Sequence, residues 1–535
     1  MIKKCHFTSQ LFTNTRKQLL GYIFLPLLIV SCTNNNITNN SDSSVEQTQL
    51  VENAMIIDGT GAPAYLGDVR FSKDGILEIG DLNQTSRDTT IDGTGLILAP
   101  GFIDTHSHHD YGLEENTDAT AAISQGITTI AIGSDGYSRQ IKGDLNKKIT
   151  NNPIAINLVT YTGHGWIRSL VMGEDFKREA TSDEIAEMQV LLTKDMKNGS
   201  LGLSTGLEYD PGIYSTKDEI IALAKTASKL GGIYISHIRS EDRAFDAALE
   251  EIINIGKEAK IPVQISHIKL AAVNLWGQSE RVIHRLEAAR AEGINISADI
   301  YPYTYWEATL TVLLPERDFN DLDAARFALK NLAPANKLTL TAYAPDPSLI
   351  GKNIAEIAIL RNQTNEETYL QLIRDAYGEL SKEQLERSNG IREMVLGVSM
   401  SENDITNFMS WQHSNVCSDG ASQGHPRGFG AFPRAIRKYV KEQKTLTIEQ
   451  MIHKMTSLSA AHINLKGVGE IKTNLDADLV LFDLNTITDR ASMESPSLLS
   501  EGIIGVWVNG VRVFKDNKVT NNRPGVFKVA SNISD

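Results

Sequence analysis

Apolar positions along this chain fall into two textures. Around 54–57, 68–71, 76–79 and 96–98 they form short β-like runs broken by Gly and Asp. The same texture returns at 477–483, 503–510 and 511–514, which predicts one small sheet domain built from both chain ends. Between these ends, strand-like runs at 127–132, 154–159, 201–204, 232–235, 262–265 and 294–297 alternate with helical stretches. The helical stretches lie at 183–197, 217–229, 247–259 and 280–292. Such alternation predicts a (β/α)₈ barrel or another parallel α/β fold. Barrel enzymes keep their chemistry just beyond the strand ends, so those positions carry the functional reading.

The run at 96–103 holds a Pro-Gly turn and leads into Gly101-Phe-Ile-Asp-Thr-His-Ser-His108. His106 and His108 are two residues apart, so on an extended strand both imidazoles face the same way and can grip one metal ion. Ile235-Ser-His237 and Ile265-Ser-His267 repeat one local design, an apolar strand followed by Ser-His. The run at 127–132 ends in Gly133-Ser-Asp135, and Val416-Cys-Ser-Asp419-Gly420 reads as the end of the last barrel strand. His106, His108, His237, His267 and Asp419 together make a donor set suited to a borderline-soft cation such as Zn²⁺.

The chain has 535 residues, enough for two or more structural units. Its net charge of −14 argues against a nucleic-acid partner, because phosphate binding needs clustered Lys and Arg. Its three cysteines, Cys5, Cys32 and Cys417, imply no disulfide framework. Lys3, Lys4, Arg16 and Lys17 precede an apolar stretch at 19–30 that is short for a membrane span and reads as a signal-peptide core. That stretch ends in Ile29-Val-Ser-Cys32, which resembles a bacterial lipobox with Cys32 as the lipid-bearing residue. The polar stretch at 33–44 reads as a tether. Residues 1–31 are thus expected to be a lipoprotein signal peptide and 32–50 a tether, with the protein outside the cytoplasm and held to a membrane by lipid. Thr33 stands where inner-membrane retention uses aspartate, which favours the outer membrane.

Nearly the whole remainder, from about 51 to 509, resembles the amidohydrolase superfamily and, within it, the N-acyl-D-amino-acid deacylases, or D-aminoacylases. Pro100-Gly-Phe-Ile-Asp-Thr-His-Ser-His108, Gly163-His-Gly165, Gly202-Leu-Ser-Thr-Gly-Leu207, Ser236-His-Ile-Arg239 and Ser266-His-Ile-Lys269 carry the resemblance. Tyr301-Pro-Tyr303, Ser418-Asp-Gly420, His425-Pro-Arg427 and Ala477-Asp-Leu-Val480 complete it. It implies a metal-dependent (β/α)₈ barrel over 99–465, a composite β-sandwich from 51–98 and 466–535, and a lid-like insertion at about 309–393. It also implies hydrolysis of an N-acyl amide by a metal-bound hydroxide with one or two Zn²⁺ ions. In that scheme Asp419 takes the proton from the water and passes it to the leaving amine.

Two departures from the family pattern matter. Many D-aminoacylases carry a cysteine ligand where this chain has Ser134-Asp135-Gly136. Glu208 follows the stretch where other amidohydrolases carry a carboxylated lysine, so Glu208 is expected to supply the bridging carboxylate, with Asp135 the weaker candidate. Lys269, Tyr301 and Arg427 fall where the family holds the substrate carboxylate, and His164 is expected to hydrogen-bond substrate. Thr304-Tyr-Trp-Glu307 replaces the small residues usual there, and Glu307 either favours a basic substrate or caps a helix. A second reading keeps the site but cleaves cyclic amides or dipeptides with a D- or isoaspartyl residue. A third, a binding protein on the same barrel, predicts lost ligands, and none of the five is lost.

Overall fold

The computed structural model describes residues 47–138, 145–378 and 392–529. The signal segment, Cys32 and the tether up to residue 46 lie outside the described residues. Among the described residues no helix is long and apolar enough to cross a membrane.

Eight parallel strands follow one another around a barrel: Phe102–Asp104, Ile127–Ile132, Asn157–Thr160 running on into Thr162–Gly163, Gly202–Gly206, Ile233–His237, Val263–Ile265, Ile296–Ile300 and Ser414–Val416. Each pairs with the next in parallel register. The ring closes between the eighth strand and the first. The Asp419 amide donates to the His106 carbonyl at 3.0 Å, and the His108 amide to the Gly420 carbonyl at 2.9 Å. The second strand, Ile-Thr-Thr-Ile-Ala-Ile, is buried at every position, as a strand covered on both faces must be. The flanking helices Ser182–Lys197, Lys217–Lys229, Phe245–Ala259 and Ser279–Ala291 begin and end within two residues of expectation. The first opens on a capping box between Thr181 and Glu184 and buries Met188, Leu192 and Met196, one stripe of a 3.6-residue period.

The two chain ends meet in one nine-stranded sheet, as the repeated β texture predicts. Ile97–Pro100 pairs antiparallel with Leu479–Phe482, which joins the N-terminal and C-terminal halves. The sheet has its own core of Val51, Val69, Phe71, Leu98, Leu479 and Trp507. Asp478 fastens it to the barrel by accepting the Asn157 side-chain amide at 2.9 Å and the Asn509 backbone amide at 2.7 Å.

Between the seventh and eighth barrel strands the chain builds a three-stranded antiparallel sheet from Tyr305–Ala308, Leu338–Tyr343 and Glu393–Val398. This excursion begins before 309 and ends after 393, a few residues wider than expected at each side. Helices Leu322–Asn331, Ile354–Arg361 and Asn365–Tyr377 belong to it. Its residues wall the space above the barrel's strand ends.

Trp507 is fully buried, meets Phe71 edge-to-face at 5.8 Å and donates its indole N–H to Gln49 at 2.6 Å. Trp507→Ala removes all three contributions and should destabilise the composite sheet by about 3–5 kcal/mol, read as a lowered thermal unfolding midpoint.

Candidate metal centre and active site

The strand ends bring most of the expected donors together. His106 Nε2 lies 3.4 Å from Asp135 Oδ2 and 3.5 Å from Asp419 Oδ1. His108 Nε2 lies 3.3 Å from each of the same two oxygens. His267 Nε2 is 3.7 Å from Asp135 Oδ1 and 3.1 Å from His237 Nδ1. Single donor atoms of His106, Asp135, His267 and Asp419 lie within 4.8 Å of one another, and so do those of His237, Glu241 and His267. His267 is common to both nests.

The backbone is strained where these ligands sit. Asp135, His267 and Asp419 have φ of 54°, 35° and 46°, in the left-handed region that non-glycine residues avoid. Each such residue costs on the order of 1–3 kcal/mol, and the fold retains three at the donor cluster. The donor set itself fits a metal ion. Both ring nitrogens of His106 are fully buried without a hydrogen-bond partner among the described residues, and so is Asp135 Oδ1. Buried polar atoms are rarely left so, and imidazole with carboxylate is a zinc-type donor set.

Charge tells the same story. Burial pulls the His108 pKa down, but hydrogen bonds and charge from Asp135 and Asp419 outweigh it and raise it to about 10. His267 is likewise raised to about 9, with burial and Lys269 opposed by Glu241, Asp419 and Asp135. Burial raises Asp419, yet Arg427 and the histidines hold it well below the usual carboxylate range. The cluster favours positive charge at its centre.

Carboxylates behind the ligands fix their orientation. Asp299 accepts the His267 backbone amide at 2.6 Å and the Gln264 side chain at 3.0 Å, and its Oδ2 lies 3.9 Å from His106 Nδ1. Asp104 accepts both the backbone amide and the hydroxyl of Ser418, and burial raises its pKa to about 7. These residues are buried acids at the ends of apolar strands, a pattern that spacing alone does not separate from ordinary turn residues.

Several expectations are corrected. Asp135, not Glu208, lies among His106, His108 and His267; Glu208 instead bonds His237 Nε2 at 2.9 Å. Lys269 lines the cavity but spends its ammonium on both Glu241 oxygens, at 2.6 and 2.7 Å, and on His267 Nδ1 at 2.7 Å, so it orients a ligand rather than offering a free donor. His164 does not reach the cavity. It is fully buried and bonds Glu219 at 2.8 Å, a carboxylate shared with Arg168. Glu307 caps no helix; it sits on the strand Tyr305–Ala308 and lines the cavity. Glu241 was not singled out from sequence, although it stands four residues after His237, within reach of the same site. Tyr209, whose ring packs on His237 at 4.4 Å, was missed as well.

A cavity of about 1180 Å³ opens over the cluster, walled by barrel loops on one side and by the insertion on the other. Tyr301 and Arg427 line it, with the guanidinium 4.6 Å over the Tyr301 ring. Arg427 Nη1 lies 2.8 Å from Asp419 Oδ2. Arg427 Nε and the Tyr301 hydroxyl have no hydrogen-bond partner among the described residues.

Comparison with known proteins agrees with this architecture. A family model described as "Amidohydrolase family" matches residues 414–514. D-aminoacylase of Alcaligenes xylosoxydans xylosoxydans is 32% identical over 502 residues, covering 89% of this chain and 96% of the relative. N-acyl-D-aspartate deacylase of the same organism is 32% identical over 511 residues, covering 90% and 95%. The crystal structure of N-acyl-D-glutamate deacylase from Bordetella bronchiseptica, complexed with zinc and a phosphonate mimic of the tetrahedral intermediate, superposes with a TM-score of 0.80. That pair is 29% identical, over 91% of this chain and 100% of the other. With strand order, donor cluster and whole-length similarity in agreement, the chain belongs to the D-aminoacylase family of the amidohydrolases.

Proposed function

We propose that this amidohydrolase cleaves the N-acyl amide bond of N-acyl-D-amino acids, with zinc at the strand-end cluster. The observation that carries the reading is the double engagement of Asp419. One of its oxygens lies among the histidine donors and the other lies 2.8 Å from Arg427, whose guanidinium stands 4.6 Å over the Tyr301 ring. A substrate held by its carboxylate on Arg427 and Tyr301 therefore presents its amide next to the metal-binding nest. The D-configuration follows from the activities after which the relatives are named.

His106, His108, His267 and Asp135 would hold one ion with Asp419, and His237, Glu241 and His267 offer a second, overlapping nest, so one or two ions fit. Zinc bound there acidifies a water molecule and polarises a carbonyl oxygen. Asp419, ionised by Arg427 and the histidines, takes the water's proton and delivers it to the departing nitrogen, because an unprotonated amine is a very poor leaving group. Arg427 and Tyr301 fix the substrate carboxylate with charge-assisted hydrogen bonds. Lys269 and Glu241 keep His267 in one orientation. The lipobox-like Ile29-Val-Ser-Cys32 supports placing the enzyme outside the cytoplasm on a lipid tether.

The zinc-loaded chain lacking residues 1–31 is expected to release amine from N-acetyl-D-amino acids in preference to their L-forms. Asp419→Asn should lower kcat by about 10²- to 10⁴-fold. No turnover on either series, with zinc demonstrably bound, would move the assignment to dipeptides or cyclic amides. Asp135→Asn should reduce zinc content measured by metal analysis, whereas Glu208→Gln should retain it; the reverse pattern would restore Glu208 as the bridging group. Arg427→Met should raise KM at least about tenfold on substrates with a free carboxylate, from loss of a charge-assisted bond.

A further inference from the structure

Among the cavity carboxylates that the proposed chemistry does not use, Glu307 stands on the wall that carries Arg427. Glu307 lies on the strand Tyr305–Ala308, next to Trp306, whose indole N–H is turned to the Ser399 hydroxyl at 2.7 Å. Glu307 and Trp306 both line the cavity. Its oxygens accept only neutral donors, the Thr341 hydroxyl at 2.6 Å and the His425 backbone amide at 2.9 Å. The cavity cations nearest the cluster already have carboxylate partners: Lys269 pairs with Glu241, Arg317 with Asp210, and Arg427 with Asp419. Among the described residues no cationic side chain pairs with Glu307.

The carboxylate is held there by a built arrangement. Gly424, with φ +83°, lies against the acid: a Cβ on it would lie 2.4 Å from both Glu307 oxygens, so a side chain there would displace the carboxylate. The His425 ring stacks on Tyr305 at 4.5 Å, and His425 Nε2 lies 2.9 Å from the Tyr305 carbonyl oxygen. Glu307 thus sits on the same wall as Arg427, two residues beyond His425. A substrate anchored by its carboxylate on Arg427 and Tyr301 has its acyl group directed across the metal-binding nest. The group left to run along the Arg427 wall is the amino-acid side chain.

We infer that Glu307 sets side-chain selectivity: the enzyme takes N-acyl-D-amino acids with an ammonium or guanidinium side chain and rejects those with a carboxylate. The inference rests on the deacylase reading above, and its sign is opposite to that of the relatives named for aspartate and glutamate substrates. An ammonium or guanidinium satisfies an acid that otherwise has only neutral partners. A second carboxylate meets a like charge whose direct partners are neutral, on a half-buried wall. Burial raises the Glu307 pKa against the opposing pull of Thr341, Arg427 and His425, and a cation beside it favours the ionised form.

The test compares kcat/KM of the zinc-loaded enzyme on N-acetyl-D-lysine, N-acetyl-D-arginine, N-acetyl-D-methionine and N-acetyl-D-glutamate. Wild type should favour the cationic substrates over glutamate by about a hundredfold, and Glu307→Gln should cut that ratio at least about tenfold. Gln keeps an acceptor for the His425 amide and a polar group for Thr341, and its thermal midpoint reports whether the wall is intact. Turnover of methionine with equal or better use of glutamate by wild type overturns the inference without needing the variant. So does a cation preference that survives intact in Glu307→Gln. No turnover of any D-substrate overturns the deacylase reading itself, and the inference with it.

Discussion

Everything at the functional end of this molecule depends on how the barrel closes. Two backbone hydrogen bonds, from Asp419 to His106 and from His108 to Gly420, seam the last strand to the first. The same seam brings the histidine pair beside the aspartate, so ring closure and assembly of the donor cluster are one event. Asp104 reinforces it from the first strand by accepting both the amide and the hydroxyl of Ser418, just beyond the last. Parallel strands with both faces covered leave their carboxyl ends as the place where polar side chains can converge, and here they converge on one another.

The resulting cluster concentrates negative charge behind imidazoles. Asp135 and Asp419 face the histidine nitrogens directly, Asp299 holds His267 by its backbone, and Glu241 holds it through Lys269 and its own contact of 3.0 Å. Left-handed backbone at Asp135, His267 and Asp419 aims three of these side chains at one point. Strain of this kind persists only where surrounding structure over-determines it, and here strands on both sides do so.

Much of this was legible in the chain. Helix bounds followed from the alternation of helical stretches with strand-like runs, and the composite sheet followed from β texture repeated at both ends. His106, His108, His237, His267 and Asp419 were legible because each ends an apolar run, where barrel geometry exposes it. What was not legible was direction. Glu208 and Asp135 both follow apolar strands, and only the three-dimensional turn at Asp135, with its positive φ, sends that carboxylate into the cluster. In the chain Lys269 reads as a free donor, but its partner Glu241 comes from the loop after a different strand. His164 sits between two glycines like a loop residue, yet the helix Lys217–Lys229 supplies the buried Glu219 that claims it. Such pairings arise between strand-helix units, which local periodicity does not relate.

The composite sheet has a consequence for how the chain reaches its native state. Strand Ile97–Pro100 finds its antiparallel partner only in Leu479–Phe482, on the far side of the entire barrel sequence. During synthesis, the N-terminal strands therefore exist for most of the chain's emergence with an unsatisfied row of amides and carbonyls, an open template for mispairing. Contacts this distant in sequence are slow to form because a long loop must close before they reward it. The barrel lying between them shortens that loop once it is folded, since Asn157 on its third strand docks Asp478 and Asn509 from the returning end. The central barrel thus acts as the template on which the two ends of the chain find each other.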